Sequence, residues 1–407
     1  MTFKVKTKGQ NEGEKLLKPK LRFKEFKDNW TLMSLNSLME FKNGINATKD
    51  AYGKGIKYIS VTDILNNNFI TYEKIKGLVN IDNCTLKNNS VTYGDVVFQR
   101  SSETIEDIGR ANVYLDHNKV ATFGGFVIRG KKKGDYNPLF INYLLQNSSS
   151  RKAIIVKGAG AQHYNISQEE LEKIELYFPS IQEQEKIANL LSLLDKKIEL
   201  QKRKVDVLKI YKRGLIQKLY DQKYNNKVKM KNIIKQKSIR NKNNEIKDIY
   251  SVNNKDGFIL QSDQFKDRIV ASEDTTNYKI IKKDYFAYNP ARINVGSIAR
   301  MKDEKIGIIS PMYICFECQN NVLPEYLEYF FETDIFTYEM KKRLEGSVRM
   351  CLSYESMLNI PIDLPDIIQQ ERISKVLNEC DKKINCEKIK YDYQKRLKDA
   401  LLQKMFI

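Results

Sequence analysis

The chain contains little of what several common protein classes need. Its 407 residues include only two histidines, eight prolines and one tryptophan. Two histidines leave little material for a histidine-based catalytic triad or a histidine-rich metal centre. No run of about 18 apolar residues occurs, which argues against a transmembrane helix. The basic start of the chain lacks the apolar core of a signal peptide, so we expect a cytoplasmic protein that does not associate with membranes.

The six cysteines are scattered, which is typical of a reducing compartment rather than of a disulfide framework. Cys315 and Cys318 form the only C-x-x-C pair, and no second pair stands at ligand spacing. We interpret them as buried thiols rather than zinc ligands, and we expect no metal on this chain. The phosphate-binding pattern G-x-x-x-x-G-K-[ST] is also missing, which argues against a motor or a kinase.

Positive charge is in excess, with 70 lysines and arginines against 51 acidic residues and a net charge of +19. Residues 1–27 hold nine basic and three acidic residues, a net of +6. Residues 212–247 hold twelve basic and two acidic residues, a net of +10. Phosphate neutralisation dominates the affinity of proteins for nucleic acid, so this excess favours DNA binding. Solvated tails and linkers can be equally basic, so charge alone leaves that alternative open.

The chain repeats itself at an offset of 186 residues, as in 365 − 179 = 186. Residues that match at this offset occupy 179–187 and 365–373, 195–198 and 381–384, and 215–218 and 401–404. A slip of three residues also aligns 94–97 with 283–286, but 248–277 shows no counterpart to the strand-like run 55–61. The repeat predicts two copies of one unit, a mixed α/β domain followed by a long helix.

Both helical segments carry a heptad seam of apolar residues at steps of four and three. The seam residues are Ile187, Leu191, Leu194, Ile198, Val205, Leu208, Leu215 and Leu219, then Ile373, Leu377, Ile384, Tyr391, Leu401 and Met405. Polar residues interrupt the seams at matching places, Gln201 with Glu387 and Lys212 with Lys398. Polar seam residues specify register, so we predict that the two helices form an antiparallel coiled coil with each other.

The fold class is therefore mixed α/β, with a pseudo-two-fold internal repeat. The predicted segments are a basic N-terminal tail (1–19), a first domain (20–179), a central coiled-coil helix (180–226), a second domain (227–365) and a C-terminal coiled-coil helix (366–407). Forty helical residues at about 1.5 Å each make a helix of roughly 60 Å.

Several short motifs follow one another in a specific order. They are Trp30, Phe-Lys-Asn-Gly at 41–44, Ile-Lys-Tyr-Ile-Ser-Val-Thr-Asp-Ile at 56–64, Tyr-Gly-Asp-Val-Val-Phe at 93–98, the run 158–167 and the run 179–187. This ordered series, duplicated around a coiled coil, resembles the specificity subunit of type I restriction–modification enzymes over essentially the whole chain. Singly the motifs are weak, and the order and the duplication carry the resemblance.

The resemblance implies a non-catalytic subunit with two target-recognition domains of similar scaffold. Each domain would read one half of a split, asymmetric site in double-stranded DNA, and the helices would fix the spacer. They would also dock the methyltransferase subunits, two in number, and the restriction/translocase subunits. It further implies that S-adenosylmethionine, ATP and Mg belong to those partner subunits and that this chain binds no cofactor.

We predict DNA contacts from residues of two kinds. Arginine, asparagine and glutamine suit base edges, and lysine suits phosphate. In the first domain the predicted residues are Arg100, Ser101, Ser102, Arg110, Lys157, Gln162 and His163. In the second domain they are Asn289, Arg292, Asn294, Arg300, Lys341, Arg343 and Arg349.

Two other functions stay open at this point. A self-contained DNA methyltransferase is one, because 288–291 resembles the Asn-Pro-Pro-aromatic loop of amino-methyltransferases. That loop lacks its second proline and its aromatic residue, and no full Gly-rich cofactor loop accompanies it. The other is a coiled-coil assembly scaffold without a role on nucleic acid.

Overall fold

The computed structural model describes residues 18–160, 163–254, 256–264, 274–346 and 349–407. The chain forms two compact units. Unit 1 consists of Met1–Leu200 together with Lys390–Ile407, and unit 2 consists of Gln201–Ile389. Each unit therefore contains one α/β domain and a part of both long helices. None of the described helices is long and apolar enough to cross a membrane.

Unit 1 contains eleven described strands and six short helices. The strands are β1 (Thr31–Ser34), β2 (Met39–Asn43), β3 (Tyr52–Ile59), β4 (Gly77–Val79), β5 (Val96–Gln99), β6 (Ser101–Ser102), β7 (Ala111–Val113), β8 (Thr122–Phe123), β9 (Val127–Lys132), β10 (Tyr164–Asn165) and β11 (Glu175–Phe178). The helices are α1 (Leu35–Leu38), α2 (Val61–Asn66), α3 (Asn83–Asn88), α4 (Pro138–Gln146), α5 (Ser148–Ile155) and α6 (Gln168–Glu172). The long helix α7 (Ile181–Tyr220) begins in unit 1 and ends in unit 2.

Unit 2 contains ten described strands and four short helices before the second long helix. The strands are β12 (Lys227–Lys229), β13 (Ile234–Lys237), β14 (Ile249–Asn253), β15 (Gly257–Leu260), β16 (Lys279–Ile281), β17 (Phe286–Tyr288), β18 (Ile298–Arg300), β19 (Gly307–Ile309), β20 (Ile314–Cys318) and β21 (Pro361–Asp363). The helices are α8 (Gln261–Gln264), α9 (Pro324–Phe330), α10 (Asp334–Lys341), α11 (Tyr354–Leu358) and α12 (Ile367–Lys404).

The two units share one sheet topology. A four-stranded antiparallel sheet has the order β2-β9-β5-β7 in unit 1 and β13-β20-β17-β18 in unit 2. Beside it, β3 pairs parallel with β8 and antiparallel with β4, and β14 pairs parallel with β19 and antiparallel with β15. Hence β14 is the counterpart of β3, and the prediction that 248–277 has none is wrong. β14 is shorter than β3 and shares no motif with it, so the match could not be recognised from the sequence.

The alignment of the two copies also needs one correction. Gly94 has a φ of 88° and its N–H donates to the carbonyl of Tyr114 over 2.8 Å. Asp284 has a φ of 64° and its N–H donates to the carbonyl of Met301 over 2.8 Å. The same left-handed turn thus precedes β5 and β17, at an offset of 284 − 94 = 190. The predicted slip of three residues is really four, because aspartate replaces glycine in the turn.

The pattern of apolar residues predicts one strand-like run over 278–288 and one helix over 324–344, and the structure divides each into two elements. The strand-like run 278–288 is two strands, β16 and β17, separated by the turn at Asp284. The predicted helix 324–344 is two helices, α9 and α10, because the chain turns at Thr333. The Thr333 hydroxyl accepts a hydrogen bond from the N–H of Phe336 over 3.0 Å and so caps a new helix.

In each unit the start of one long helix and the end of the other pack on the same core. In unit 1, Leu191 of α7 and Phe406, just beyond α12, join a cluster that contains Trp30 and Phe140. In unit 2, Leu377 of α12 and Tyr220 of α7 occupy the corresponding places. The two helices are therefore antiparallel within each unit. Every predicted seam residue is buried or half-buried.

The polar seam positions differ in what they contact. Gln201 donates to Glu387, over 2.7 Å to the carboxylate and 2.9 Å to the main-chain carbonyl. Lys204 also lies 3.2 Å from that carboxylate, which is 1% exposed. The matched pair Gln201 and Glu387 thus joins α7 to α12 directly, as the polar interruptions predicted.

Candidate nucleic-acid interface

In unit 1 a shallow groove of about 400 Å³ opens at the end of β5. Every residue of β5 is buried up to Gln99, and β6 follows almost at once and pairs antiparallel with β10. This pairing holds the loop before β10 against the end of β5. The groove is lined by Gln99, Ser101, Ser102, Glu103, Thr104, Asp107, Phe126 and His163.

A glycine turn shapes one side of this groove. Ala159 and Asn165 exchange both main-chain hydrogen bonds, at 2.9 and 2.8 Å, and enclose a loop with Gly160 at a φ of 140°. A Cβ atom on Gly160 would lie 2.0 Å from the carbonyl oxygen of His163. Glycine is therefore required by both backbone angle and space.

Three predicted DNA contacts of unit 1 line the groove, namely Ser101, Ser102 and His163. Arg100 is half-buried and its guanidinium donates to the carbonyl of Gly125 over 3.3 Å, so it supports the neighbouring turn. The predicted Gln162 lies outside the described residues.

The other two predicted cations of unit 1 have acidic partners. Arg110 lies 3.0 Å from Asp107, and Lys157 lies 3.6 Å from Glu170. Exposed pairs of this kind contribute at most about 1 kcal/mol. Both cations can therefore exchange a carboxylate for a phosphate at little cost.

Five groove residues were not among the predicted contacts, namely Gln99, Glu103, Thr104, Asp107 and Phe126. Gln99 is only 5% exposed and donates to the carbonyl of Ser101 over 2.9 Å. Among the described residues its side-chain oxygen has no hydrogen-bond partner. The one available signal was position, since Glu103 and Thr104 directly follow residues that were predicted.

In unit 2 the equivalent region follows β17. Asn289 occupies the place of Gln99, and its side-chain oxygen accepts from the N–H of Ala291 over 3.0 Å. That bond holds a tight turn, beyond which Arg292 and Asn294 are both exposed. These three predicted residues thus stand together on one loop at the end of a buried strand.

The remaining predicted residues of unit 2 lie near its own glycine turn. Glu345 and Cys351 exchange two main-chain hydrogen bonds, at 2.9 and 2.8 Å, around Gly346 with a φ of 117°. Lys341 and Arg349 are exposed on either side of this turn. Arg343 is half-buried and pairs with Glu339 at 2.5 Å. The turn repeats that of unit 1, although the residues around it differ.

Arg300 occupies a different environment from the one predicted. Its side chain is 8% exposed and binds three carboxylates, those of Asp284 at 2.6 Å, Glu325 at 2.7 Å and Glu328 at 2.9 Å. Burial lowers the pKa of the guanidinium, but the carboxylates outweigh burial and the pKa is raised. An arginine so enclosed cannot reach a base edge without breaking all three pairs. This geometry argues against Arg300 as a DNA contact and makes it a support of the domain core.

A triad of tyrosine, aspartate and lysine joins each domain to both long helices. In unit 1 the Tyr143 hydroxyl of α4 donates to Asp195 of α7 over 2.7 Å, and Lys398 of α12 binds the same carboxylate at 2.6 Å. In unit 2 the Tyr329 hydroxyl lies 2.7 Å from Asp381, and Lys212 lies 2.8 Å from it. The three positions match at the repeat offset, since 329 − 143 and 381 − 195 and 398 − 212 all equal 186. The two lysines were noticed as seam interruptions, but their partners were not predicted.

The electrostatics of the triads favour the ionic pair. Burial and the neighbouring aspartate raise the pKa of the Tyr143 and Tyr329 phenols well above their ordinary value, so both phenols stay protonated and act as hydrogen-bond donors. Burial lowers the pKa of Lys212, but Glu332 and Asp381 outweigh it and raise the pKa. Each lysine also lies over the ring of its tyrosine, at 5.5 and 4.9 Å from the centroid.

A second matched contact lies where each long helix begins. The side-chain oxygen of Gln184 accepts from the N–H of Asn137 over 3.0 Å, and its amide donates to Pro179 over 3.0 Å. Gln370 accepts from the N–H of Leu323 over 2.8 Å and donates to Pro365 over 2.9 Å. The repeated Pro-x-x-x-x-Gln pattern therefore fixes the start of each long helix to the start of α4 or α9.

The C-x-x-C pair lies in β20 with both thiols largely enclosed. Burial raises the pKa of Cys315 and of Cys318 to about 12. Within the described residues no group of three or more histidine, cysteine, aspartate or glutamate side chains could hold a metal ion.

Comparison with known proteins identifies the first half of the chain. Residues 27–210 match the family described as the type I restriction modification DNA specificity domain. A type I restriction enzyme MjaX specificity subunit assigned in Methanocaldococcus jannaschii is 25% identical over 202 residues. That alignment covers 48% of this chain and 46% of the relative, so the chain matches about half the length of this curated relative.

Solved structures share the fold over nearly the whole chain. The S subunit of a type I restriction–modification system from M. genitalium has a TM-score of 0.58 at 17% identity, covering 96% of this chain and 99% of that one. A chain from work on complex assembly and conformational transition of the type I R-M system has a TM-score of 0.57 at 11% identity, covering 92% and 96%. Residues 27–210 thus match the type I restriction modification DNA specificity domain, and the chain has the fold of these two solved structures.

Proposed function

We propose that this chain is the DNA-recognition subunit of a type I restriction–modification complex. Each unit reads one half of a split, asymmetric sequence in double-stranded DNA through the residues at the end of β5 or β17 and around its glycine turn. The chain carries out no chemistry of its own. A self-contained methyltransferase is the less favoured alternative, because 288–291 is a tight turn next to β17 without the second proline and aromatic of that loop.

One observation carries the proposal. The two units match in the polar contacts that hold each domain on the helices, and differ in the exposed side chains at the candidate interface. Tyr143 and Tyr329 each contact the aspartate at the matched position of a long helix. Ser101 and Ser102 of the groove, by contrast, are replaced by the loop of Arg292 and Asn294. One scaffold with two different surfaces is what reading two different half-sites requires.

The long helices supply the spacing in this proposal. A domain that reads three or four base pairs is not selective by itself, since each good bidentate contact contributes about 1–3 kcal/mol. Joining two such domains makes the second contact intramolecular and multiplies the selectivity. A coiled coil keeps the distance between half-sites fixed, whereas a flexible linker would not.

The partners in this proposal are two methyltransferase subunits and the restriction/translocase subunits. S-adenosylmethionine, ATP and Mg act on those subunits. The exposed faces of α7 and α12 are the surfaces available for docking, and they carry apolar residues such as Val207, Ile210 and Ile389 with exposed fractions of 63%, 72% and 58%. Exposed apolar side chains on a paired helix favour a protein partner.

The direct test is single-molecule mapping of N6-methyladenine across host DNA, with and without this gene. We expect a split asymmetric motif that disappears on deletion and returns on complementation with the wild-type gene. An unchanged methylome in a strain whose methyltransferase subunit is shown to be expressed would contradict the proposal.

A second measurement separates the alternatives. Binding of the purified assembly to duplex DNA should weaken with salt, with log K falling by about 0.9 per phosphate contacted for each unit of log salt. A scaffold without a DNA role would show no such dependence. A self-contained methyltransferase would bind S-adenosylmethionine without any partner, and the proposed subunit would not.

A further inference from the structure

Two large apolar side chains are exposed at equivalent turns of the two units. Phe126 precedes β9 and is 68% exposed, and Met312 precedes β20 and is 62% exposed. Their positions match at the repeat offset, since 312 − 126 = 186. A single exposed apolar residue is ordinary on a protein surface, but the same exposure at one place in both copies needs an explanation.

The two turns have the same backbone construction. The N–H of Val127 donates to the carbonyl of Gly124 over 2.8 Å, and the N–H of Tyr313 donates to that of Ser310 over 3.1 Å. In unit 1 a Cβ atom on Gly125 would lie 1.8 Å from the side-chain oxygen of Asn46, so the turn is tightly packed. The exposed side chain is therefore held on a rigid base.

Both side chains stand beside a side-chain amide at the end of the central strand. Phe126 lines the groove together with Gln99, and its carbonyl accepts from the N–H of Arg100 over 2.9 Å. In unit 2 the Asn289 amide lies 3.7 Å from the sulfur of Met312. An apolar group next to an amide is a combination that suits the edge of an A·T pair, which offers a methyl group beside hydrogen-bonding atoms.

We propose that Phe126 and Met312 are specificity-determining residues that each contact a thymine 5-methyl group in the major groove, one in each half-site; this inference rests on the proposed function. Two features of the unit 1 groove point to the major groove. Its polar lining consists mainly of short neutral side chains, and its charged members are the acids Glu103 and Asp107. Carboxylates can accept from cytosine in the major groove, whereas minor-groove binders that insert apolar wedges rely on arginine and lysine.

The test replaces thymine by deoxyuridine, which removes only the methyl group. The probe is a duplex that carries the split site found by methylome mapping, and the protein is the full chain in its complex. At one position in each half-site we expect the substitution to weaken wild-type binding about fourfold, the effect of one buried methyl group. A half-site in which every thymine tolerates deoxyuridine, or which contains no thymine on either strand, overturns the proposal for that unit.

Side-chain variants assign each methyl group to its residue. Phe126→Ala should weaken binding and become insensitive to deoxyuridine in one half-site, while it stays sensitive in the other. Met312→Ala should show the reverse pattern. Sensitivity retained in both half-sites by either variant contradicts the assignment of that residue.

Matched controls come from exposed apolar residues on other elements of the same units. Leu32→Ala in β1 and Ile335→Ala in α10, at 45% and 37% exposure, should leave affinity and deoxyuridine sensitivity unchanged. If Phe126→Ala were to perturb folding, Phe126→Leu keeps an apolar side chain and should retain part of the sensitivity. If the wild-type complex showed no sequence-specific binding to the unmodified duplex, the proposed function itself would be contradicted.

Discussion

Units 1 and 2 are the same scaffold under different local constraints, and the clearest difference lies in their triads. Asp195 is 8% exposed in its ion pair with Lys398, whereas Asp381 is 41% exposed in its pair with Lys212. Unit 2 adds Glu332 as a second carboxylate, 3.2 Å from Lys212. The joint between domain and helices thus keeps its three residue types, although the residues around it differ between the units.

Away from the joint the two cores have diverged in kind. Arg300 with its three carboxylates occupies a place in β18 where β7 of unit 1 has the apolar Val113, each opposite the start of the central strand. A satisfied ionic network and an apolar contact can replace one another at similar stability, provided that no charge is left unpaired. The fold therefore constrains contacts to the helices more than contacts within each domain.

The largest effect is expected when the chain is cut after Tyr224. Such a fragment loses residues 390–407 of unit 1, including Met405 and Phe406 of its core. Leu219 and Tyr220 of a second copy can fill those places, since they match them at the repeat offset. We expect a dimer by light scattering that, if active, directs methylation of a palindromic split motif. A monomer that retains the asymmetric motif would contradict the two-reader proposal.

Replacing one aspartate at a time should destabilise the two units by different amounts. Asp195→Ala leaves Lys398 half-buried without its anion and should destabilise unit 1 by about 3–5 kcal/mol. Asp381→Ala should cost about 1–2 kcal/mol, because Asp381 is more exposed and Lys212 keeps Glu332. Hydrogen exchange of amides in α4 and α9 measures each unit separately.

The exposed Asp206→Ala on α7 serves as the control for both variants and should change neither unit. Equal losses in the two units, or a larger loss for Asp381→Ala, would show that burial does not decide the strength of these joints.

Substitution at the interface of one unit should leave the other half-site untouched. Arg292→Ala or Arg349→Ala should weaken binding by about 1–3 kcal/mol and relax specificity only in the half-site read by unit 2. Arg372→Ala on α12, also exposed, is the control. Competition with duplexes mutated in one half-site measures the effect. An equal loss of specificity at both half-sites would contradict the assignment of these arginines to the interface of unit 2.

The smallest difference is expected at the two glutamines. Gln184 and Gln370 are both buried and share two matched bonds, to which Gln370 adds a donation to the carbonyl of Asn321 over 3.1 Å, so replacement of either by alanine should cost about 1–2 kcal/mol in its own unit. Gln182→Ala, two residues before Gln184 in an exposed position, should cost almost nothing. Urea unfolding followed by hydrogen exchange measures the loss of unfolding free energy for each substitution. A clear difference between the two losses would show that matched hydrogen bonds do not stabilise the two units equally.

Sequence patterns predicted the parts of this fold that have a period or a repeat. The heptad seams gave both long helices, and matched polar positions led to the contact between Gln201 and Glu387. The tyrosine partners of Lys212 and Lys398 could not be predicted, because they come from separate elements with no shared period. The strand β14 was missed since a five-residue strand can change its sequence completely while its main-chain pairing persists.

For the candidate interface, position in the sequence after a strand or a glycine loop was a better guide to the groove residues than residue type. Ser101, Ser102 and His163 were chosen because they follow a strand or a glycine loop, and they do line the groove. Arg300 was chosen as an arginine, and burial beside three carboxylates is a tertiary property that its neighbours in sequence do not reveal. Phe126 was passed over because apolar residues are expected in cores, and only its exposure distinguishes it.

The position of the end of α12 in the core of unit 1 has a consequence for biosynthesis. Residues 390–407 complete the core of unit 1, yet the ribosome makes them after all of unit 2. Trp30 and Phe140 of unit 1 therefore stay incompletely covered until α12 has left the ribosome. Contacts across such a long sequence separation form late and slowly. If translation terminates early, the core of unit 1 lacks residues 390–407 and stays partly exposed. Chaperones and proteases can recognise such a chain by this exposed core.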